Sequence, residues 1–277
     1  MKNNQRRKIV VAVAPVGKGD PPIDGNPLSP EEVAQAVVDC ARVGASMVHL
    51  HVRGAAGQQT AEMDAFSHTL DLIRNESDII VQGSTGGLAD LSLEERCVAV
   101  DEPRVEVASL NMGSANFKET VYINTLPDIR YWARRMRQNK VVQELEIFEA
   151  GMIPAAFRLI RDEAITPPYY FNVCLGFHHA LPADPTSLFF LKTMIPTECS
   201  WGLVHDGMTD LSLLAAAIGL GASIVRVGFE DSIFFAPGEP ARSNAELVEK
   251  LAGMIRSMGC DLASPEEARR ILTIISQ

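Results

Sequence analysis

The chain repeats one pattern along its length: a short apolar run of strand length, a polar turn, then a stretch with helical periodicity. The apolar runs are Lys8–Ala14, Ser46–Val52, Asp78–Gln82, Arg104–Leu110, Val141–Phe148, Tyr169–Leu175, Cys199–His205 and Ser223–Val227. Helices are predicted over Pro30–Val43, Ala61–Arg74, Leu91–Val100, Leu126–Asn139, Met152–Glu163, Thr186–Met194, Asp210–Gly219 and Ala245–Met258. Ser29-Pro30-Glu31-Glu32 is a strong helix start, with an N-cap hydroxyl, a proline at the first position and acids in the first turn. Ser264-Pro265-Glu266-Glu267 repeats that signal and opens a last short helix. Strands alternating with helices imply a parallel sheet. Eight such units within 277 residues imply an α/β fold, a closed (β/α)8 TIM barrel. The expected organisation is a single domain over residues 1–277 with a short C-terminal helical extension. An open doubly wound sheet is the alternative. No GxGxxG follows the first strand, which weakens its dinucleotide-binding version.

Composition narrows the partners. An apolar fraction of 47% is enough for a large core. The net charge of −10 argues against nucleic acid or an anionic membrane as partner. A small anionic substrate remains open, because local arginines can override the global charge. The cysteines Cys40, Cys97, Cys174, Cys199 and Cys260 are scattered and never spaced CxxC. That suits buried free thiols in a reducing compartment, and a cytoplasmic protein is expected. Met1–Lys8 is basic and precedes an apolar stretch, as in a signal peptide, but Pro15-Val16-Gly17-Lys18 cuts the stretch short. A first strand is the better reading. No other apolar run reaches membrane-spanning length.

In a barrel of this type the site lies at the C-terminal ends of the strands, and the polar residues collect there. His49 and His51 close the second strand. Side chains alternate along a strand, so both point to one face, roughly 7 Å apart. Such a pair can hold one transition metal, with zinc the default, or it is two hydrogen-bonded histidines at a sheet end. Glu230 follows the eighth strand and is the natural third ligand, or else a surface turn acid. Asp231 cannot easily share that ligand geometry and suits a general base. Arg226 interrupts an apolar strand. Buried there, it must meet a carboxylate, either Asp231 or the substrate's; facing outward, it would pair with a helix. Ser84-Thr85-Gly86-Gly87 offers hydroxyls and amides for an anion. Ser109 and Asn111 close the fourth strand, and Glu144, Glu146 and Phe148 share one face of the fifth. His178-His179 and His205-Asp206 read as loop or substrate-contact residues rather than extra ligands.

Taken together, Val48-His49-Leu50-His51-Val52-Arg53, Ser84-Thr85-Gly86-Gly87, Ser109-Leu110-Asn111-Met112-Gly113-Ser114, Glu144-Leu145-Glu146-Ile147-Phe148, Arg226-Val227-Gly228-Phe229-Glu230-Asp231 and Asn244-Ala245-Glu246-Leu247-Val248 resemble the β-keto acid cleavage enzyme family. The founding activity of that family is cleavage of 3-keto-5-aminohexanoate. The resemblance runs from about Val10 to Leu272. It implies a zinc-bearing (β/α)8 barrel, a homo-oligomer of tetramer type, and a reaction of β-keto acid with acetyl-CoA giving acetoacetate and a new CoA thioester. It implies His49, His51 and Glu230 as zinc ligands and Asp231 as base, oriented by Arg226. It further implies that Ser84, the Gly87 amide and Ser109 contact the β-keto acid; Thr85, Gly86 and Asn111 belong to the same two motifs.

The chain departs from the family pattern at two points. The first loop usually reads Pro-Thr-Gly-Ala, with an acid after it in some members; here it reads Pro15-Val16-Gly17-Lys18-Gly19-Asp20. Where the family tends to small residues after the seventh strand, this chain has His205-Asp206-Gly207. Both changes bear on which substrate tail fits. Two other readings use the same barrel: a metal-dependent hydrolase, which would want a further histidine on the fifth or sixth strand, and a non-catalytic metal- or metabolite-binding barrel.

Overall fold

The computed structural model describes residues 6–18, 23–87, 91–117 and 119–274. Gly19 and Asp20 of the first loop, and Met1 to Gln5 of the basic start, lie outside the described residues. In chain order the elements are β1 (Lys8–Val13), α1 (Pro30–Val43), β2 (Met47–Leu50), α2 (Asp64–Arg74), β3 (Ile80–Gly83), a 3₁₀ helix (Glu95–Asp101), β4 (Val105–Asn111), β5 (Ala115–Phe117), β6 (Thr120–Tyr122) and α3 (Leu126–Gln138). They continue as β7 (Val142–Ile147), α4 (Met152–Arg161), β8 (Tyr170–Leu175), α5 (Pro185–Met194), β9 (Ser200–His205), α6 (Ser212–Gly219), β10 (Ile224–Val227), β11 (Phe234–Ala236), β12 (Glu239–Pro240), α7 (Asn244–Ser257), β13 (Asp261–Leu262) and α8 (Pro265–Ile271).

Parallel pairing runs in the order β10-β9-β8-β7-β4-β3-β2-β1, and β10 returns to β1, with Val10–Val13 against Ile224–Val227. The barrel is closed, as the eightfold alternation predicts. One helix differs from expectation. The stretch predicted as a helix over Leu91–Val100 is a 3₁₀ helix over Glu95–Asp101, starting after a Ser92–Glu95 capping pair. Two small hairpins, β5–β6 and β11–β12, stand on the loops after β4 and β10 and were not expected.

The helix starts follow from local chemistry. Ser29 Oγ accepts from the Glu32 amide while the Glu32 carboxylate accepts from the Ser29 amide, and Pro30 gives up no needed donor at the first position. Ser264 and Glu267 repeat this capping box at α8. The burial of α1 falls on Val33, Ala34, Val37, Val38 and Cys40, the stripe its periodicity dictates. The cysteines are free; four are buried and Cys199 is partly so.

Two apolar layers result. One lies between the outer strand faces and the helices. The other fills the lower lumen, where Val10, Ala12, Met47, Ile80, Val107, Val142, Tyr170 and Ile224 meet Ala263, Ala268 and Leu272 from the C-terminal segment. The β13 strand pairs with the start of β1, and Arg269 of α8 reaches Glu106 and the Asp78 carbonyl. The C-terminal extension therefore plugs the bottom of the barrel. Above the apolar layer the inward positions turn polar: His49, Gln82, Ser109, Glu144, Asn172 and Arg226 succeed Met47, Ile80, Val107, Val142, Tyr170 and Ile224 on their strands. A dry floor and a polar upper lumen confine chemistry to the top.

Candidate active site

His49 is buried on β2 and His51 lies just past its end. The strand alternation that puts Met47 in the lumen puts both imidazoles there too. Glu230 comes from the turn after β10, next to β1 in the closed sheet. Its Oε1 is 3.6 Å from His49 Nε2 and its Oε2 is 3.7 Å from His51 Nε2. The three donor groups lie within 4.8 Å of one another. Gln82 Oε1 accepts from His49 Nδ1 at 2.8 Å, which leaves Nε2 as a lone-pair donor facing Glu230. The Gln59 amide donates to His51 Nδ1 at 2.9 Å; turning that amide over would free His51 Nε2 in the same way. Burial pushes His49 down to about 3, so it is neutral at physiological pH, as a ligand must be. Burial opposes ionisation of Glu230, but the two imidazoles and Arg226 outweigh it and hold its carboxyl well below the usual range. Two imidazoles, each held from behind by a glutamine, and one carboxylate fit a divalent transition metal with an open position.

The turn that presents Glu230 is set by Gly228. Its φ is +139°, and a Cβ there would overlap the carbonyl oxygen of Ala14, just past β1. The Glu230 amide donates to that same carbonyl at 3.1 Å. Gly228→Ala is expected to destabilise the fold by roughly 2–4 kcal/mol through strain and to displace Glu230. Thermal unfolding and metal titration of the variant check this.

Arg226 is buried on β10 and points into the lumen. Its Nε and Nη2 donate to the two oxygens of Asp231 at 2.8 and 2.5 Å, and Nη2 lies 3.6 Å from Glu230. Of the two carboxylates open to it from sequence, the structure brings it to Asp231. Burial pushes the Asp231 carboxyl up, against the pull of Arg226. Burial likewise disfavours the Arg226 charge, but Asp231 and Glu230 hold it firmly protonated. Arg226 stands on the wall of a cavity of about 260 Å³; Asp231 lies behind it.

The same cavity takes in His49, His51, Glu230, Ser84, Gly86 and Gly87. Ser84 Oγ accepts from the Gly86 amide at 3.1 Å, which curls the turn over the site. Thr85, Ser109 and Asn111 sit one layer back. The Thr85 amide donates to Ser109 Oγ at 3.1 Å, its hydroxyl donates to the Ser109 carbonyl at 2.6 Å, and Asn111 Oδ1 accepts from the Gly113 amide at 3.1 Å. Thr85 and Ser109 brace the turn that Ser84 and Gly87 present, while the Asn111 bond stays within the loop after β4. His178 and His179 stack on each other in the turn after β8 and do not reach the cavity.

Several residues on or behind the cavity wall were not singled out from sequence. Gln59 and Gln82 orient the histidines. Phe117 and Tyr122 come from the unexpected β5–β6 hairpin and Phe177 from the turn after β8; with Phe148 they form an aromatic wall. Phe148 and Glu146, which the sequence places on one strand face with Glu144, both line the cavity, and Glu144 does not. Burial and the neighbouring Glu144 push the Glu146 carboxyl up to about 8, while burial takes Glu144, held by the Asn172 amide, up to about 7. A raised carboxyl favours the folded state only while protonated. Its support is present below the unfolded value near 4.5 and is lost as pH rises toward 8. Glu146→Gln is therefore expected to gain roughly 2–4 kcal/mol over wild type near pH 8, and close to nothing below about pH 4.5. Chemical denaturation of chelator-treated protein at the two pH values measures it.

Comparisons with known proteins give the family and the fold. The profile of the β-keto acid cleavage enzyme family matches residues 8–274. The chain is 37% identical over 250 residues to the 3-keto-5-aminohexanoate cleavage enzyme of Acetoanaerobium sticklandii, covering 90% of this chain and 91% of that one. It is 28% identical to the 3-dehydrocarnitine:acetyl-CoA trimethylamine transferase of Rhizobium meliloti, over 99% of both. Among solved structures, the ternary complex of ObcA with a C4-CoA adduct and oxalate superposes with a TM-score of 0.74 at 18% identity, covering 89% of this chain and 67% of that chain, a likeness of fold. Among the described residues no helix is long and apolar enough to cross a membrane.

Proposed function

Because the chain belongs to the β-keto acid cleavage enzyme family, and so is an acyltransferase-type enzyme that cleaves β-keto acids, we propose that it condenses a β-keto acid with acetyl-CoA to give acetoacetate and a new CoA thioester. One observation carries the reading: the His49, His51 and Glu230 donors, Arg226 with Asp231 hydrogen-bonded behind it, and the turn that presents Ser84 and Gly87 meet at a single cavity above an apolar barrel floor. Acetyl-CoA enters as co-substrate by analogy with the Rhizobium meliloti relative, whose name includes it.

His49, His51 and Glu230 would hold one zinc ion. When bound, the ion supplies a positive charge beside the keto and carboxylate oxygens, which acidifies the carbon between them. The Ser84 hydroxyl and the Gly87 amide, braced by Thr85, Gly86 and Ser109, bind and orient the β-keto acid, and Asn111 shapes the neighbouring loop. Asp231 takes the proton from the carbon between the two carbonyl groups. Arg226 keeps Asp231 ionised and aimed, and must loosen one of its two hydrogen bonds as the proton arrives. The resulting carbanion attacks the acetyl thioester and expels CoA thiolate. That thiolate adds to the original keto carbon, the carbon–carbon bond breaks, and acetoacetate leaves after taking up a proton.

A homotetramer in the cytoplasm goes with this reading. Phe189 and Phe190 stand 57% and 49% exposed on α5, apolar area that assembly would cover. The test of function is a panel of β-keto acids incubated with acetyl-CoA and zinc-loaded protein, with CoA esters followed by mass spectrometry. A new acyl-CoA matching the acid supplied, made by wild type and not by Glu230→Gln, is the expected result. Turnover of esters or amides without CoA would favour a metal-dependent hydrolase instead.

A further inference from the structure

The two departures from the family pattern meet each other. Lys18, in the loop after β1, places Nζ 2.5 Å from Asp206 Oδ1 in the turn after β9, across 188 residues of sequence. Lys18 is part of the cavity wall. Its ammonium lies 5.4 Å from the centre of the Phe177 ring and 5.8 Å from that of Phe117. Those rings pack on Phe148 and Tyr122, with Phe148 and Phe177 centred 4.8 Å apart. Aromatic faces arranged this way attract a cation. Here the cation is the protein's own, and its charge is already matched by Asp206.

We propose that Lys18 and Asp206 make the aromatic end of the cavity charge-neutral, so that the protein selects β-keto acids with an uncharged tail; this rests on the β-keto acid reading above. A cationic tail would meet the Lys18 ammonium at the rings it needs. An anionic tail would have to draw Lys18 away from Asp206 and then lie beside that carboxylate, whose side chain is only 20% exposed. An uncharged tail buries its carbons against the rings and leaves the ion pair intact.

A matched series tests this: 3-oxohexanoate, 3-oxoadipate and 5-amino-3-oxohexanoate, offered to metal-loaded full-length protein. Dissociation constants are measured by NMR titration without acetyl-CoA, and turnover is measured with it. Wild type is expected to bind the uncharged acid about fivefold tighter than either charged one, the scale of a partly exposed ion pair. Asp206→Asn should raise the anionic-to-neutral affinity ratio, and Lys18→Met the cationic-to-neutral ratio, each by about fivefold and at least about twofold. Ratios cancel any general damage to the barrel. A wild type that prefers a charged acid, or a shift in either ratio below about twofold, overturns the proposal. Selective binding without turnover would keep it and sink the acyl-transfer reading; turnover with unmoved ratios would do the reverse.

Discussion

Asp231→Asn is expected to lower kcat by about 10³-fold, within the range for losing a general base, while metal content stays near that of wild type. Asparagine keeps the shape of the side chain and one acceptor for Arg226, so the barrel should fold. What disappears is the carboxylate proposed to take the proton. Asp231 is buried, which raises its basicity, and Arg226 holds both of its oxygens, which fixes its aim. The direct readout is exchange of the proton between the two carbonyl groups of a β-keto acid in D₂O without acetyl-CoA. Wild type should catalyse that exchange, and Asp231→Asn should reduce it by about the same factor as kcat. Exchange at the wild-type rate would move the base elsewhere, with Glu146 first in line because it lines the cavity with a carboxyl near 8.

The second large effect is at Glu230. Glu230→Gln keeps the size of the side chain and removes its charge. Disturbing the residues that merely orient metal ligands typically costs 10–100-fold in affinity, so loss of a charged ligand should cost more than about 100-fold. Isothermal titration with Zn²⁺ against chelator-stripped protein measures it. A control is Gln82→Leu, which leaves all three ligands but removes the acceptor for His49 Nδ1; it should fall within about 10–100-fold. If both variants bind zinc as wild type does, the ion sits elsewhere.

The barrel was legible because its signal is repetitive. Eight apolar runs set between capped helices have few other solutions, and Ser29-Pro30-Glu31-Glu32 and Ser264-Pro265-Glu266-Glu267 begin helices as their chemistry requires. The histidine pair was legible because alternation along β2 and its end fixes where His49 and His51 point. The cost of an unpaired buried charge required only that a buried Arg226 meet some carboxylate; the fold supplies Asp231. What escaped the sequence is tertiary. Over Leu91–Val100 the apolar spacing serves an α or a 3₁₀ helix equally, and the structure takes the tighter one. The aromatic wall draws Phe117 and Tyr122 from a short hairpin, Phe148 from just past β7 and Phe177 from another loop, so no single window of sequence contains it. The alternation Ala115-Asn116-Phe117 against Thr120-Val121-Tyr122 was the one available hint of that hairpin. Gln59 and Gln82 became orienters only once strands and loops were folded together. The Lys18–Asp206 pair joins two residues visible in sequence only as separate oddities.

The central claim is that the carbon framework of one substrate is exchanged with the acetyl group of the other. The most direct measurement incubates [¹³C₂-acetyl]-CoA with an unlabelled β-keto acid and the metal-loaded protein, then reads both products by NMR and mass spectrometry. The account predicts acetoacetate labelled only in its acetyl carbons and an unlabelled acyl-CoA derived from the keto acid. Labelled free acetate with no new acyl-CoA would contradict it, because the protein would then be hydrolysing the thioester rather than transferring its acyl group.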